Sequence, residues 1–185
     1  MWWEVAPEVR TEWEEWHTVE HMPERLSIPG FLRGSRWVSA ESYFVLYETT
    51  ELAVITSGPY LDRLNNPTPW SRKMMPHHRN MARSLCLVRA SHGHGLPGIM
   101  ATLRFSRGKD LPQLPSTKGV TGAHLLEAQP MPAATVEQRI RGGDATADWV
   151  LLVGGYDAGA VEQAARQPGE AVRGIYRLSY SLART

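Results

Sequence analysis

Residues Trp16 to Phe31 read WHTVEHMPERLSIPGF, a run that crowds histidine, glutamate, arginine and proline between a helical pattern and a turn. Upstream, Val9, Trp13, Trp16 and Glu20 recur at helical spacing, so Glu8 to Met22 is predicted to be a helix that Pro23 stops or kinks. Pro29-Gly30 is a turn signal, and Phe31 to Val38 after it has the composition of a strand. The stretch is therefore a helix end, a turn and a strand entry, with two imidazoles placed at the helix end.

Outward from it, Trp2 to Val5 reads as a short strand and Tyr43 to Thr49 as another. Glu51 to Leu64 reads as a helix interrupted near Gly58-Pro59. Asn65 to Pro69 is a loop, and Arg79 to Ala90 is a closing strand. The order is β-α-β-β-α-β. After a glycine-rich and proline-rich linker, Ser91 to Gly98, the order recurs faintly. Ile99 to Phe105 is a strand, Asp110 to Lys118 a proline-broken helical or irregular segment, and Gly119 to Glu127 a strand. Trp149 to Gly154, Asp157 to Gln167 and Val172 to Leu182 follow as strand, helix and strand, with Met131 to Asp148 as an insertion. A unit of this order leaves one sheet face apolar and uncovered, and two such faces bury each other. The expected fold class is α+β: two tandem ferredoxin-like βαββαβ units, residues 1–92 and 98–185, whose antiparallel sheets pack into one α/β barrel. A ligand cavity is expected between the sheets.

The 185 residues carry a formal net charge of +1, with Lys and Arg scattered rather than striped, so the footprint of a nucleic-acid binder is absent from the sequence. Hydrophobic residues make up 42% and charged residues 21%, the balance of an ordinary soluble domain. No apolar run is long enough to cross a bilayer, and the acidic N-terminal stretch lacks the pattern of a signal peptide. A cytoplasmic location with no membrane partner is expected. Cys86 is the one cysteine, which leaves no intrachain disulfide and points to a buried structural thiol. Of seven tryptophans, Trp149 alone lies beyond residue 70, so the first half is the richer place for an aromatic pocket.

Trp16-His17-Thr18-Val19-Glu20-His21-Met22-Pro23, then Ile28-Pro29-Gly30-Phe31, Tyr43 to Glu48, and Pro67-Thr68-Pro69-Trp70-Ser71 together resemble the EthD-like proteins of the dimeric α/β-barrel superfamily. The match spans roughly residues 10 to 90, and the second half resembles the superfamily in element order only. His17 stands where that pattern has tyrosine. The resemblance implies paired ferredoxin-like units sharing a barrel, in a superfamily of small monooxygenases, lactone isomerases, polyketide cyclases and haem-handling enzymes. It implies His21 as a general acid or base, because imidazole exchanges protons near neutral pH, with His17 and Glu20 assisting. Arg25 would hold a substrate carboxylate or enolate, and Trp16, Tyr47 and Trp70 would line an aromatic cavity. The structural alternative makes His21 and Glu20 helix-end partners of the Pro29-Gly30 loop and Arg25 a surface ion pair.

His17 to His21 also fits the H-x-x-E-H zinc-hydrolase pattern, but Pro23 follows at once and no third ligand is apparent, so no catalytic metal is expected. His77 and His78 are expected to face solvent, His92 and His94 to sit solvated in the linker, and His124 to occupy a strand near the cavity. The expected function is a cofactor-independent isomerase, cyclase or oxygenase acting on a hydrophobic or aromatic compound, haem binding being a narrower variant. The alternative is a non-catalytic ligand-binding or stress-related protein using the same cavity. The sequence leaves a monomer and a homodimer equally open.

Overall fold

Adjacent residues of a strand point to opposite faces, and Trp2 and Trp3 in β1 (Trp2–Val5) divide the protein accordingly. A computed structural model of the chain describes residues 1–40, 42–106, 115–166 and 170–184. On one face Trp3 packs with Trp13, Trp16, Tyr43, Val45 and Met74, the layer between sheet and helices. On the other, Trp2 packs with Trp37 and Phe44 against Met100, Val150 and Leu152 of the second half.

The fold is α+β, and the nine strands among the described residues form one antiparallel sheet in the order β4-β1-β3-β2-β9-β6-β8-β7-β5. The remaining strands are β2 (Phe31–Ser39), β3 (Ser42–Thr49), β4 (His78–Ala82), β5 (Leu85–Gly93), β6 (Ile99–Phe105), β7 (Val120–Gln129), β8 (Trp149–Gly155) and β9 (Val172–Ala183). The halves join where β2 pairs with β9, Arg36 opposite Tyr180, and again where β5 pairs with β7, Ser91 opposite His124. Two separate sheets were expected, and the hydrogen-bonded ladder is instead continuous and not closed into a barrel. Its edges, β4 and β5, are successive in the chain. The corner between them breaks the ladder, because the Arg83 N–H donates to Ala145 O at 2.8 Å and Ser84 Oγ to Ala147 O at 3.0 Å. The single closing strand expected over Arg79 to Ala90 is thus two.

The first helix does not end at Pro23. It runs as α1 (Arg10–Trp16), a π turn (His17–His21) and α2 (Met22–Leu26), and the Met22 N–H reaches back five residues to His17 O. Proline has no N–H for the carbonyl one turn back, and the wider turn takes up that irregularity where a straight helix would kink. Gly30 then turns the chain at φ +94°, and a Cβ there would lie 2.4 Å from Val54 Cγ2, so the turn needs glycine twice over.

The expected helix over Glu51 to Leu64 is a 3-10 segment (Leu52–Thr56) followed by α3 (Gly58–Asn65), and α4 (Pro69–Met74) extends the layer. Thr68 Oγ1 caps α4 by accepting from the Ser71 N–H at 2.9 Å. The insertion folds α5 (Val136–Arg141) under a Thr135/Gln138 capping box. The helix after β8 is α6 (Ala158–Ala164), whose Val161 packs on Leu103, Leu151 and Val153. Most of the segment predicted over Asp110 to Lys118, and Gln167 at the predicted helix end, lie outside the described residues. Ser91 to Gly93, read as linker, belong to β5.

Candidate functional site

A cavity of about 610 Å³ is lined by both halves of the chain, by Trp2, Trp37 and Phe44 on one face of the sheet and by His21, Arg25, Tyr47 and Tyr60 on the helix side. Its walls are apolar and aromatic: Trp2, Trp37 and Phe44 from the first half, Met100, Leu126 and Leu152 from the second. Trp2 Nε1 donates to Thr102 Oγ1 at 3.0 Å and Trp37 Nε1 to Pro97 O at 3.2 Å, so each indole has a satisfied polar edge and presents carbon surface. Leu32, Val88 and Leu96, which also line the cavity, are 47%, 61% and 37% exposed. These three side chains present apolar surface to water beside the cavity.

Polar groups gather among Arg25, Tyr47, Tyr60 and Glu137 of the lining. Arg25, on α2, is buried, and its Nη2 lies 2.6 Å from Glu137 Oε1 on α5. Glu24 accepts from Arg25 Nη1 at 3.3 Å and pairs with Arg63 at 3.1 Å. Burial alone would lower the Arg25 pKa, but the charge and hydrogen bonds of Glu137 override it and hold the guanidinium above its ordinary value. Burial raises the Glu24 pKa, with Arg25 and Arg63 opposing the shift.

Tyr47 lies on β3 across from Gly34 on β2, so its ring can cover bare backbone: a Cβ at Gly34 would sit 2.8 Å from Tyr47 Cε1. Its hydroxyl is enclosed and has no hydrogen-bond partner among the described residues. Burial drives its pKa well up, so the phenol is a neutral donor.

No protein-family model matches the chain, and no curated protein matches it either. What can be said of the site therefore rests on its own geometry.

Of the residues singled out in the sequence, His21, Arg25 and Tyr47 line the cavity, and His17, Glu20, Trp16 and Trp70 do not. The π turn explains part of this division. His17 is buried among the rings of Trp3, Trp13, Trp16 and His21, and desolvation, with lesser contributions from Arg36 and His78, puts its pKa well below the usual imidazole value. Glu20 accepts from Trp16 Nε1 at 3.1 Å, Thr68 Oγ1 at 2.6 Å and Ser71 Oγ at 3.4 Å, tying the π turn to α4. It has no bond to the Pro29-Gly30 turn. Trp16 is wholly buried in the helix layer, and half-buried Trp70 donates to Glu12 at 3.2 Å, so neither presents a face to the cavity. Arg25, considered in the sequence as a surface ion pair, is a buried one.

His78 also departs from expectation. It is buried, accepting from Trp13 Nε1 at 3.2 Å while its Nδ1 lies 2.9 Å from Met75 O. Together these set the Nδ1-protonated tautomer. His124 lines the cavity and bonds Ser91 Oγ at 2.6 Å. His92, half-buried, bonds Pro115 O at 2.6 Å, and His94 is exposed. Cys86 is half-buried in the cavity lining, with burial pushing its thiol up to about 11. That thiol is a poor nucleophile at neutral pH. Among the described residues, no three His, Cys, Asp or Glu side chains are gathered as metal ligands, and no helix is long and apolar enough to cross a membrane.

Sequence reasoning did not single out Glu137 or Arg83. Glu137 sits in an insertion with no motif around it, and only the burial of Arg25 demands a carboxylate there.

Proposed function

We propose that this chain is a small-molecule protein of the EthD-like, dimeric α/β-barrel kind, taking a hydrophobic or aromatic compound into its cavity. It acts on that compound as a cofactor-independent isomerase, cyclase or oxygenase. The observation that carries the proposal is the cavity itself: an apolar, indole-walled space of about 610 Å³, within the usual range for small-molecule sites, with His21, Arg25 and Tyr47 of the sequence motif in its lining. Strand order supports the two-unit architecture. β4-β1-β3-β2 in the first half and β9-β6-β8-β7 in the second are the same 4-1-3-2 order, which is that of a ferredoxin-like unit.

In this proposal His21 moves a proton to or from the bound compound, since imidazole can do so near neutral pH without a metal. Tyr47 supplies a hydrogen bond to an acceptor on the compound. Arg25, held by Glu137, sets the local charge. His17 and Glu20 act by holding the π turn that carries His21, which makes them positioning residues.

The second reading, a non-catalytic ligand-binding protein, draws on the packing of His17 and Glu20 away from the cavity. His21→Ala separates the two. An enzyme loses turnover and keeps its thermal midpoint, whereas a structural His21 shows a lowered midpoint as the first consequence. Native mass spectrometry of protein purified without an affinity tag, compared with its denatured mass, identifies any co-purified compound to assay.

A further inference from the structure

The charges in the cavity lining do not balance. Of the three arginines there, Arg25 is paired with Glu137 and Arg33 with Glu48 at 3.8 Å. The third, Arg83, is 8% exposed, and its guanidinium has one protein partner among the described residues, the Tyr60 hydroxyl at 3.1 Å. It has no carboxylate partner there. A buried cation bonded to one neutral phenol is costly unless something anionic completes it.

From this we infer that the cavity takes an amphipathic monocarboxylate, with Arg83 binding the carboxylate and the apolar walls holding its hydrophobic or aromatic body. The inference rests on the cavity reading above and narrows it to one ligand class. The Arg83 backbone N–H is fixed on Ala145 O at the β4–β5 corner, so the side chain departs from an anchored point. Tyr60 lies close enough to Arg25 and Tyr47 to influence both electrostatically, which puts Arg83 at the polar part of the lining rather than at the apolar rim. A guanidinium presents parallel N–H groups that match the two oxygens of a carboxylate, and Tyr47 offers a further donor with no protein partner among the described residues.

The test compares two fluorescent probes of the same shape, anthracene-9-carboxylate and anthracene-9-methanol, titrated into the intact chain at pH 7.5. The carboxylate is expected to bind about tenfold tighter or more, the worth of one hydrogen bond to a charged group. Arg83→Gln is expected to abolish that preference while leaving the alcohol within about twofold of its wild-type affinity. Arg83→Lys keeps the charge and is expected to retain part of the preference. Thermal unfolding checks that each variant folds, and Arg83→Met, which removes the charge but keeps much of the length, replaces a variant that does not. Equal binding of acid and alcohol to the wild type, or a preference that survives Arg83→Gln, overturns the assignment to Arg83 and leaves the cavity reading standing. Failure of both probes to bind the wild type overturns the cavity reading with it.

Discussion

Arg25 and Glu137 stand 112 positions apart in the chain and meet at 2.6 Å, with side chains 4% and 5% exposed. This contact fastens the insertion to the motif helix beside the cavity. Removing Glu137 leaves the buried Arg25 with only its longer contact to Glu24 at 3.3 Å, which Arg63 shares, so Glu137→Ala is expected to cost about 2–4 kcal/mol in urea unfolding. The double substitution Arg25→Met with Glu137→Leu is expected to recover most of that loss, because it removes the charges together. A Glu137→Ala protein of wild-type stability would show that the pair does not hold the insertion.

Glu20 is expected to matter for stability through three donors. Glu20→Ala leaves Thr68 Oγ1 and Ser71 Oγ short of an acceptor and Trp16 Nε1 with Ser71 Oγ alone, at 3.3 Å. The expected loss is about 1–3 kcal/mol, the usual cost of stranding buried polar groups. Affinity for a cavity ligand, measured on the folded fraction, is expected to stay unchanged, since Glu20 does not line the cavity.

Tyr47 is expected to behave in the opposite way. Its hydroxyl is enclosed without a partner among the described residues, so Tyr47→Phe should leave the unliganded protein as stable as before or up to about 1 kcal/mol more stable. Binding of a ligand with an acceptor group should weaken. Gly34→Ala should disturb the same ring from beneath, because the new Cβ would meet Tyr47 Cε1 at 2.8 Å. Loss of stability in Tyr47→Phe would mean that the hydroxyl is satisfied in the folded protein.

His17 sets a pH dependence whose sign follows from its burial. Its folded-state pKa lies well below the ordinary value of 6.5, so below that pH the unfolded chain takes up a proton that the folded one does not. Stability is complete above about pH 6.5 and falls by about 1.4 kcal/mol per pH unit as the pH drops toward the folded pKa. Burial, and after it His92, shifts His124 in the same direction, so the informative quantity is a difference. His17→Phe should flatten the fall in unfolding free energy between pH 7 and 5.5 by about 0.6 proton on average, approaching one proton near pH 5.5, relative to wild type. An unchanged slope would place the titration elsewhere.

Those residues also show where sequence was a good guide. Trp2 and Trp3 as one short strand, the Pro29-Gly30 turn and the four strands after residue 98 were legible because alternation and turn chemistry are local. The joining of the halves was not, since β2–β9 and β5–β7 pairing leaves no local mark on either strand. Pro23 was read as a stop or a kink because a proline's effect is judged on an ordinary helix, and the π turn before it changes that geometry. At the site, the motif led to His21, Arg25 and Tyr47. It also led to Trp16 and Trp70, which pack in the helix layer, whereas Trp2 and Trp37 are the indoles in the cavity lining. His78 was taken for a solvent-facing histidine because its partners, Trp13 and Met75, are set by tertiary packing.

The most direct test of the central claim is to follow the indole N–H signals of the ¹⁵N-labelled protein while titrating with anthracene-9-methanol. Trp2 and Trp37 line the cavity, and Trp13 and Trp16 lie in the helix layer on the other face of the sheet. Saturable shifts of the Trp2 and Trp37 signals, with those of Trp13 and Trp16 unmoved, are expected. Shifts confined to Trp13 and Trp16, or no saturable shift of Trp2 and Trp37, would contradict a ligand cavity on this face.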